Sequence, residues 1–293
     1  MKRRSKSNKK FREVGIGLAI FFIIGGICVA IILSIWGVRT SYINDKFDNG
    51  KVISHPSSPG SQKYSFIDNV PVRVMSIGRP DRKANMEDLL EKFEFKNVGF
   101  SDCLYQKKDI NKNRLLNEGK ITKNCFSEMD SEIAHTLGYL ESLKKYGDKT
   151  KGLFFLEDDL MILKPLEECQ RQLQNAFNAL PESADMLYFE MGGEDCKNLK
   201  FRGGSPIVKA IHPWCTAAIY FTPKGIDKVL DLCQPIFDGT DTMFINLIEK
   251  GKLEAYISIP LVFHQDNYWG SDLRKEAKGH EKHSKNYKPC GLF

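Results

Sequence analysis

Four apolar residues followed at once by three carboxylates constrain the fold of this chain more than any other stretch. Residues 153–156 read Leu-Phe-Phe-Leu, and Glu157, Asp158 and Asp159 come directly after them. A short run that is apolar at every position is typical of a strand buried on both faces, as in a parallel sheet. In open α/β sheets, ligands bind just beyond the carboxyl ends of the strands. We therefore predict that the three acids lie at a binding edge; the alternative is that they cap the next helix or face water.

The N-terminal region predicts a membrane anchor. Residues 14–36 contain no charged side chain, and a stretch of 23 residues is long enough to cross a hydrocarbon core about 30 Å thick. Residues 1–13 hold seven Lys or Arg and one acid, so the positive-inside rule places them in the cytosol. We predict a single-pass type II membrane protein whose remaining residues face the lumen of the Golgi or the endoplasmic reticulum.

The body of the chain is formally neutral. The whole chain has 43 basic and 37 acidic residues, and subtracting the seven and one of the tail leaves 36 of each. A nucleic-acid partner, which would need a basic body, is therefore not expected. Residues 37–69 are polar and rich in Ser and Pro at their centre, which predicts a stem. Residues 70–293 are then the folded domain.

Alternating strand and helix patterns predict an α/β domain with a mainly parallel sheet and helices on both faces. Period-two or fully apolar runs predict strands at residues 72–77, 97–100, 152–156, 186–189, 216–221 and 255–259. Helical spacing predicts helices at residues 81–93, 131–146, 224–232 and 241–249, with a further helix opened by Pro165. Residues 104–126 are polar and irregular, and predict a long loop.

Several short blocks occur along this domain in a defined order. They are residues 76–82 (Ser-Ile-Gly-Arg-Pro-Asp-Arg), 131–137 (Ser-Glu-Ile-Ala-His-Thr-Leu), 156–159 (Leu-Glu-Asp-Asp), 185–188 (Asp-Met-Leu-Tyr), 215–220 (Cys-Thr-Ala-Ala-Ile-Tyr), Asp241 and 271–272 (Ser-Asp). Together they resemble glycosyltransferase family 25, which includes lipopolysaccharide and procollagen galactosyltransferases. One departure lies in the second block's helix, where the family's Ser-His pair is replaced by Gly138-Tyr139.

This resemblance implies a GT-A type fold, a Rossmann-like α/β sandwich. It also implies a metal-dependent and inverting transfer of a sugar, galactose or glucose, from a UDP-sugar to a glycan or protein hydroxyl, with Mn²⁺ or Mg²⁺ as the metal. Two alternatives stay open. One is an inactive relative that serves as a carbohydrate-binding or adhesion module, which the Gly138-Tyr139 change favours slightly. The other is an N-acetylglucosaminyltransferase of another family with the same acidic motif.

Candidate donor-binding residues follow the first and third strand patterns. Arg79 and Arg82 carry guanidinium groups that are suited to bidentate pairing with a diphosphate, and Asp81 lies between them. Solvated charges at a helix start, with Asp81 as the N-cap, are the alternative. Glu157 and Asp158 are the corresponding candidates in the acidic motif.

Candidate metal ligands and a candidate base complete the predicted site. Asp159 and Glu157 are predicted to bind the metal, and His264, which follows the last apolar run, is predicted to complete its shell. A surface histidine is the alternative for His264, and His135 is expected to be a packed helix residue. Asp241 is predicted to take the proton of the acceptor hydroxyl, with a helix N-cap as an equally weighted alternative.

Overall fold

The computed structural model describes residues 65–125, 129–200 and 203–265. The predicted anchor at residues 14–36, most of the predicted stem and the block at residues 271–272 lie outside these ranges. Within the described part of the chain, none of the helices combines the length and the apolar character that a membrane span requires.

A seven-stranded sheet forms the centre of the domain, with the strand order β2-β1-β3-β7-β5-β8-β6. Its strands are β1 (Val72–Met75), β2 (Val98–Phe100), β3 (Leu153–Glu157), β5 (Met186–Tyr188), β6 (Ile207–Lys209), β7 (Ala218–Phe221) and β8 (Ala255–Ser258). Two further strands, β4 (Leu160–Met161) and β9 (His264–Gln265), pair antiparallel in a small separate sheet.

The α-helices are α1 (Phe66–Asn69), α2 (Pro80–Phe93), α3 (Lys112–Asn117), α4 (Asp130–Tyr146), α5 (Leu166–Ala179), α6 (Pro223–Leu232) and α7 (Thr240–Glu249). They form two layers because successive side chains of each strand point to opposite faces of the sheet. Leu153 and Phe155 pack into a core with α4, α6 and α7, whereas Phe154 and Leu156 pack into a core with α1, α2 and α5. The predicted three-layer α/β arrangement is confirmed.

The sheet is mixed, with five of its seven strands running in the same direction. The pairs β1–β2, β1–β3 and β5–β8 are parallel, and β7 and β6 run against their neighbours. Because β7 lies antiparallel between β3 and β5, its amino end meets their carboxyl ends at one edge of the sheet. Residues 215–217 are thereby brought beside the acidic motif.

Three features differ from the sequence-based expectation. Phe66 is fully buried and its backbone N–H donates to Gln174 Oε1 at 2.8 Å, so the packed domain already includes residues assigned to the stem. Residues 104–126 are not a plain loop, since they contain a 3₁₀ helix (Lys107–Asp109) and α3. Strands β4, β6 and β9 were not predicted; β4 and β9 have two residues each, which are too few to show a periodicity.

Candidate active site

A cavity of about 390 Å³ lies beyond the carboxyl ends of β1 and β3. This volume falls within the range of small-molecule sites. The acidic motif lines it together with cationic, polar and apolar side chains: Arg82, Lys107, Gln106, Ser131, His135, Gln265, Met75, Ile77, Leu104 and Tyr105. The predicted placement of the acidic motif at a strand-end cavity is therefore observed.

Glu157 ends β3 and is held by side chains from distant parts of the chain. Thr216 Oγ1 donates to Glu157 Oε1 at 3.0 Å, and Gln265 Nε2 donates to Glu157 Oε2 at 3.2 Å. Burial opposes its ionisation, but the neighbouring His135 and the Thr216 hydroxyl hold the pKa of Glu157 below its usual value. Glu157 is thus a carboxylate with fixed orientation.

His135 is a member of the site, contrary to the expectation of a packed helix residue. Its Nε2 lies 3.3 Å from Glu157 Oε1, close enough for an ion pair when the ring is protonated. The two atoms are not aligned for a hydrogen bond. Its Nδ1 lies 3.2 Å from Thr240 Oγ1. Burial disfavours the charged ring, but the carboxylates of Glu157 and Asp241 outweigh it and raise the pKa of His135. The ring links α4 to the acidic motif and to the start of α7.

Asp159 shares a hydrogen-bond donor with Glu157. Gln265 Nε2 donates to Asp159 Oδ1 at 3.3 Å as well as to Glu157. Burial and the charge of Glu157 raise the pKa of Asp159 to about 7. Two acids held this close repel each other, and a divalent cation between them would relieve the repulsion.

Asp158 and Arg82 form a buried ion pair behind the other two acids. Arg82 Nη1 lies 2.7 Å from Asp158 Oδ1 and 3.6 Å from Asp159 Oδ2. Arg82 is 6% exposed and Asp158 is 4% exposed, yet both line the cavity. The guanidinium therefore already balances part of the acidic charge, while its position keeps it close to any ligand in the cavity.

Arg79 and Asp81 pair with each other at the start of α2. Arg79 Nη2 lies 2.7 Å from Asp81 Oδ2; the Asp81 side chain is exposed, and the Arg79 side chain is half-buried. Arg79 itself is the N-cap, so the alternative of Asp81 as the N-cap is wrong. The hydrogen bond from Arg79 lowers the pKa of Asp81. Neither residue is among those that line the cavity, and their predicted contact with a diphosphate stays a prediction.

Asp241 lies in the first turn of α7, close to the acidic motif. Gly239 is the N-cap of this helix, so the N-cap alternative for Asp241 is wrong. Thr216 Oγ1 lies 3.2 Å from Asp241 Oδ1 and can donate its single hydrogen there or to Glu157. Burial and the charge of Glu157 raise the pKa of Asp241 to about 6. A carboxylate with this pKa can act as a base near neutral pH.

Gln265, and not His264, lies on the cavity wall. In the small sheet, Gln265 pairs with Leu160 and His264 pairs with Met161. Successive side chains of a strand point to opposite faces, and Gln265 faces the two acids. His264 is not among the cavity-lining residues, so its place in a metal shell stays a prediction.

The donor chemistry of Glu157 and Asp159 suits a hard cation. Within the described ranges, no three His, Cys, Asp or Glu side chains are grouped as metal ligands would be. Two carboxylates are nevertheless a common protein contribution to Mg²⁺ sites, where substrate phosphates and waters supply the remaining oxygens. Burial and the charge of Glu157 both raise the pKa of Asp159, and a cation bound by the two carboxylates would relieve their repulsion.

The Gly138-Tyr139 departure has a packing explanation. The Tyr139 ring is fully buried and its hydroxyl donates to the backbone oxygen of Thr216 at 3.2 Å. A Cβ at Gly138 would lie 2.7 Å from the backbone oxygen of Cys103. Both residues therefore allow α4 to pack closely against neighbouring backbone. The replacement of the Ser-His pair by Gly138-Tyr139 is by itself no evidence against activity.

Gly138→Ala is expected to destabilise the protein even though alanine favours helices. The new methyl group meets backbone and forces a shift, and overpacking of this kind costs about 1–3 kcal/mol. Chemical denaturation followed by circular dichroism should show a lower midpoint. Gly203→Ala, where a Cβ has open space, is the matched control and should be close to neutral. Equal stability of the two variants would contradict the packing explanation.

Three residues of the site were missed by the sequence reasoning: His135, Thr216 and Gln265. His135 and Thr216 lie inside the recognised blocks at residues 131–137 and 215–220, so attention to polar side chains in those blocks could have found them. Gln265 gives no such signal, because its role depends on the pairing of β9 with β4.

Comparison with known proteins finds similarity among solved structures. No protein-family model matches the chain, and no curated protein matches it significantly. Among solved structures, it is similar to mouse xyloside xylosyltransferase 1 in its apo form, with 11% identity over 75% of this chain and 84% of that chain and a TM-score of 0.35. The resemblance to glycosyltransferase family 25 is not confirmed by these comparisons.

Proposed function

We propose that this protein is a membrane-anchored, metal-dependent glycosyltransferase that resembles family 25 and uses a UDP-sugar as donor. The acceptor is a hydroxyl of a glycan or glycoprotein in the secretory lumen, and the transferred sugar is galactose or glucose. The observation that carries the proposal is the placement of Glu157 and Asp159 on the cavity wall, bridged by Gln265. Asp241 is not among the lining residues and is connected to Glu157 through Thr216.

The cavity lining suits the parts of a nucleotide sugar. Ile77 and Leu104 are unusually exposed for apolar residues, at 55% and 37%, and a nucleobase would cover them. Arg82 and Lys107 supply positive charge for a diphosphate. A bound Mn²⁺ or Mg²⁺ would be held by Glu157 and Asp159 and would offset the charge that develops on the departing diphosphate.

The proposed reaction places a proton on Asp241. The acceptor oxygen forms a bond to the anomeric carbon of the donor sugar, and the bond from that carbon to the diphosphate oxygen breaks. Its electron pair leaves with UDP, and the hydroxyl proton passes to the Asp241 carboxylate. Thr216 lies within hydrogen-bonding distance of both Asp241 and Glu157 and can donate its one hydrogen to either acid.

A donor screen tests this function. Full-length protein in detergent is incubated with UDP-galactose, UDP-glucose or UDP-N-acetylglucosamine, and UDP release is measured with Mn²⁺ and with EDTA. We expect release from UDP-galactose or UDP-glucose with Mn²⁺ and none with EDTA. Preference for UDP-N-acetylglucosamine would favour the other-family alternative. Tight donor binding without turnover, with acceptors supplied from a glycan panel, would favour the inactive alternative.

A further inference from the structure

Gln265 bridges the two carboxylates to which the proposed function assigns the metal. Its Nε2 lies 3.2 Å from Glu157 Oε2 and 3.3 Å from Asp159 Oδ1. An amide nitrogen carries two hydrogens, so each carboxylate can accept one of them. This arrangement fixes the relative position of two acids that would otherwise separate by repulsion.

Only one orientation of the Gln265 amide does this. If the amide were rotated by half a turn, its carbonyl oxygen would face the two carboxylates and add to the repulsion. The observed orientation is maintained from the other side by Cys215, whose Sγ donates to Gln265 Oε1 at 3.2 Å. Cys215 is a free thiol, so its hydrogen is available for this bond.

The backbone of Cys215 is held in an uncommon conformation. Its φ is 86°, in the left-handed region that residues other than glycine rarely occupy. Such conformations persist where the surrounding structure requires them, often at functional sites. Here the conformation lies just before β7, at the edge where β3 and β5 end, and it places the thiol beside Gln265.

A buried acid lies behind the thiol. Glu190 is 1% exposed, contacts the Cys215 side chain, and its Oε2 has no hydrogen-bond partner among the described residues. Burial raises the pKa of Glu190 to about 8, so its neutral form is favoured at pH 7. In that form Glu190 places no negative charge beside the thiol, and the observed donors run from Cys215 through Gln265 to the acidic pair.

We propose that Gln265 is a positioning residue that holds Glu157 and Asp159 together for a shared cation, and that Cys215 acts through Gln265 by orienting its amide. The metal-binding part of this inference rests on the proposed function. The orientation of Gln265 by Cys215 does not, because it concerns hydrogen bonds of the protein itself.

The first test measures the binding of Mn²⁺ alone to full-length protein by electron paramagnetic resonance of the free ion. Gln265→Leu should weaken Mn²⁺ binding by roughly 10–100-fold, the usual effect of losing a group that supports metal ligands. Cys215→Ala should weaken it less, and Cys215→Ser should retain it, because a hydroxyl can also donate to Gln265 Oε1. The double variant Gln265→Leu/Cys215→Ala should bind no more weakly than Gln265→Leu.

The second test is a double-mutant cycle on thermal unfolding in EDTA, which needs neither metal nor activity. We expect the double variant to lose less stability than the two single variants together, because Cys215 acts through Gln265. Gln172→Leu and Cys233→Ala are the matched controls. Gln172 is a buried amide that donates to Ser258, and Cys233 is a buried free thiol away from the site. They should lower stability without changing Mn²⁺ binding.

The outcomes separate this inference from the proposed function. An unchanged Mn²⁺ affinity in Gln265→Leu would overturn the positioning role of Gln265, and additive unfolding effects would overturn its orientation by Cys215. If the wild-type protein binds no Mn²⁺, the metal-dependent function is overturned. The unfolding cycle then still decides whether Cys215 orients Gln265.

Discussion

Asp241→Asn is expected to lower kcat by roughly 10²–10⁴-fold, the usual contribution of a positioned base. Asparagine has the same shape and can still accept from the Thr216 hydroxyl, but it cannot take a proton. Donor affinity should change little, because the proton comes from the acceptor. The measurement is initial-rate kinetics with the donor and acceptor that the screen identifies.

The pH dependence gives a second readout for Asp241. The group must be ionised to accept a proton, and burial together with the charge of Glu157 raises its pKa to about 6. Wild-type kcat/KM should therefore fall as the pH drops below about 6, and this limb should be absent from the residual activity of Asp241→Asn. Asp238→Asn is the matched control, since that carboxylate bonds the backbone of Gly239 in its own loop. Full activity in Asp241→Asn would show that Asp241 is not the base.

Asp159→Asn is expected to remove Mn²⁺-dependent binding of UDP while leaving the protein folded. Removing a metal ligand should weaken binding by more than the roughly 10–100-fold that is usual when a group that only supports a ligand is changed. Titration calorimetry with UDP, in Mn²⁺ and in EDTA, measures this. Asp227→Asn changes an exposed carboxylate on α6 and is the control. Unchanged affinity in Asp159→Asn would mean that the acidic motif has only a structural role.

The same substitution should make the metal-free protein more stable at high pH. Burial and Glu157 raise the pKa of Asp159 from 3.8 to about 7, so between these values the native state binds more protons than the unfolded state. Stability then falls as the pH rises through this window. At pH 8 we expect Asp159→Asn to exceed wild type by on the order of 2–4 kcal/mol, and the difference should vanish towards pH 4. Denaturation in EDTA at both pH values checks the sign.

The sequence alone determined the layered α/β fold and the location of the acidic motif. An apolar run such as residues 153–156 can be buried on both faces only inside a sheet covered by helices, and the acids that follow it must then lie at a strand end. Helix periodicity is also local, so α2, α4 and α7 were predicted to within one residue at each end.

Only the tertiary structure decided which side chains meet the acids. Thr216 and Gln265 reach Glu157 from 59 and 108 residues away, because β7 enters the sheet antiparallel beside β3 and because β9 pairs with β4. Neither pairing is encoded in a local period, since both depend on long-range strand contacts. For the same reason the sequence predicts the helical position of His135 but not its contact with Glu157, because that distance is set by how α4 packs on the sheet.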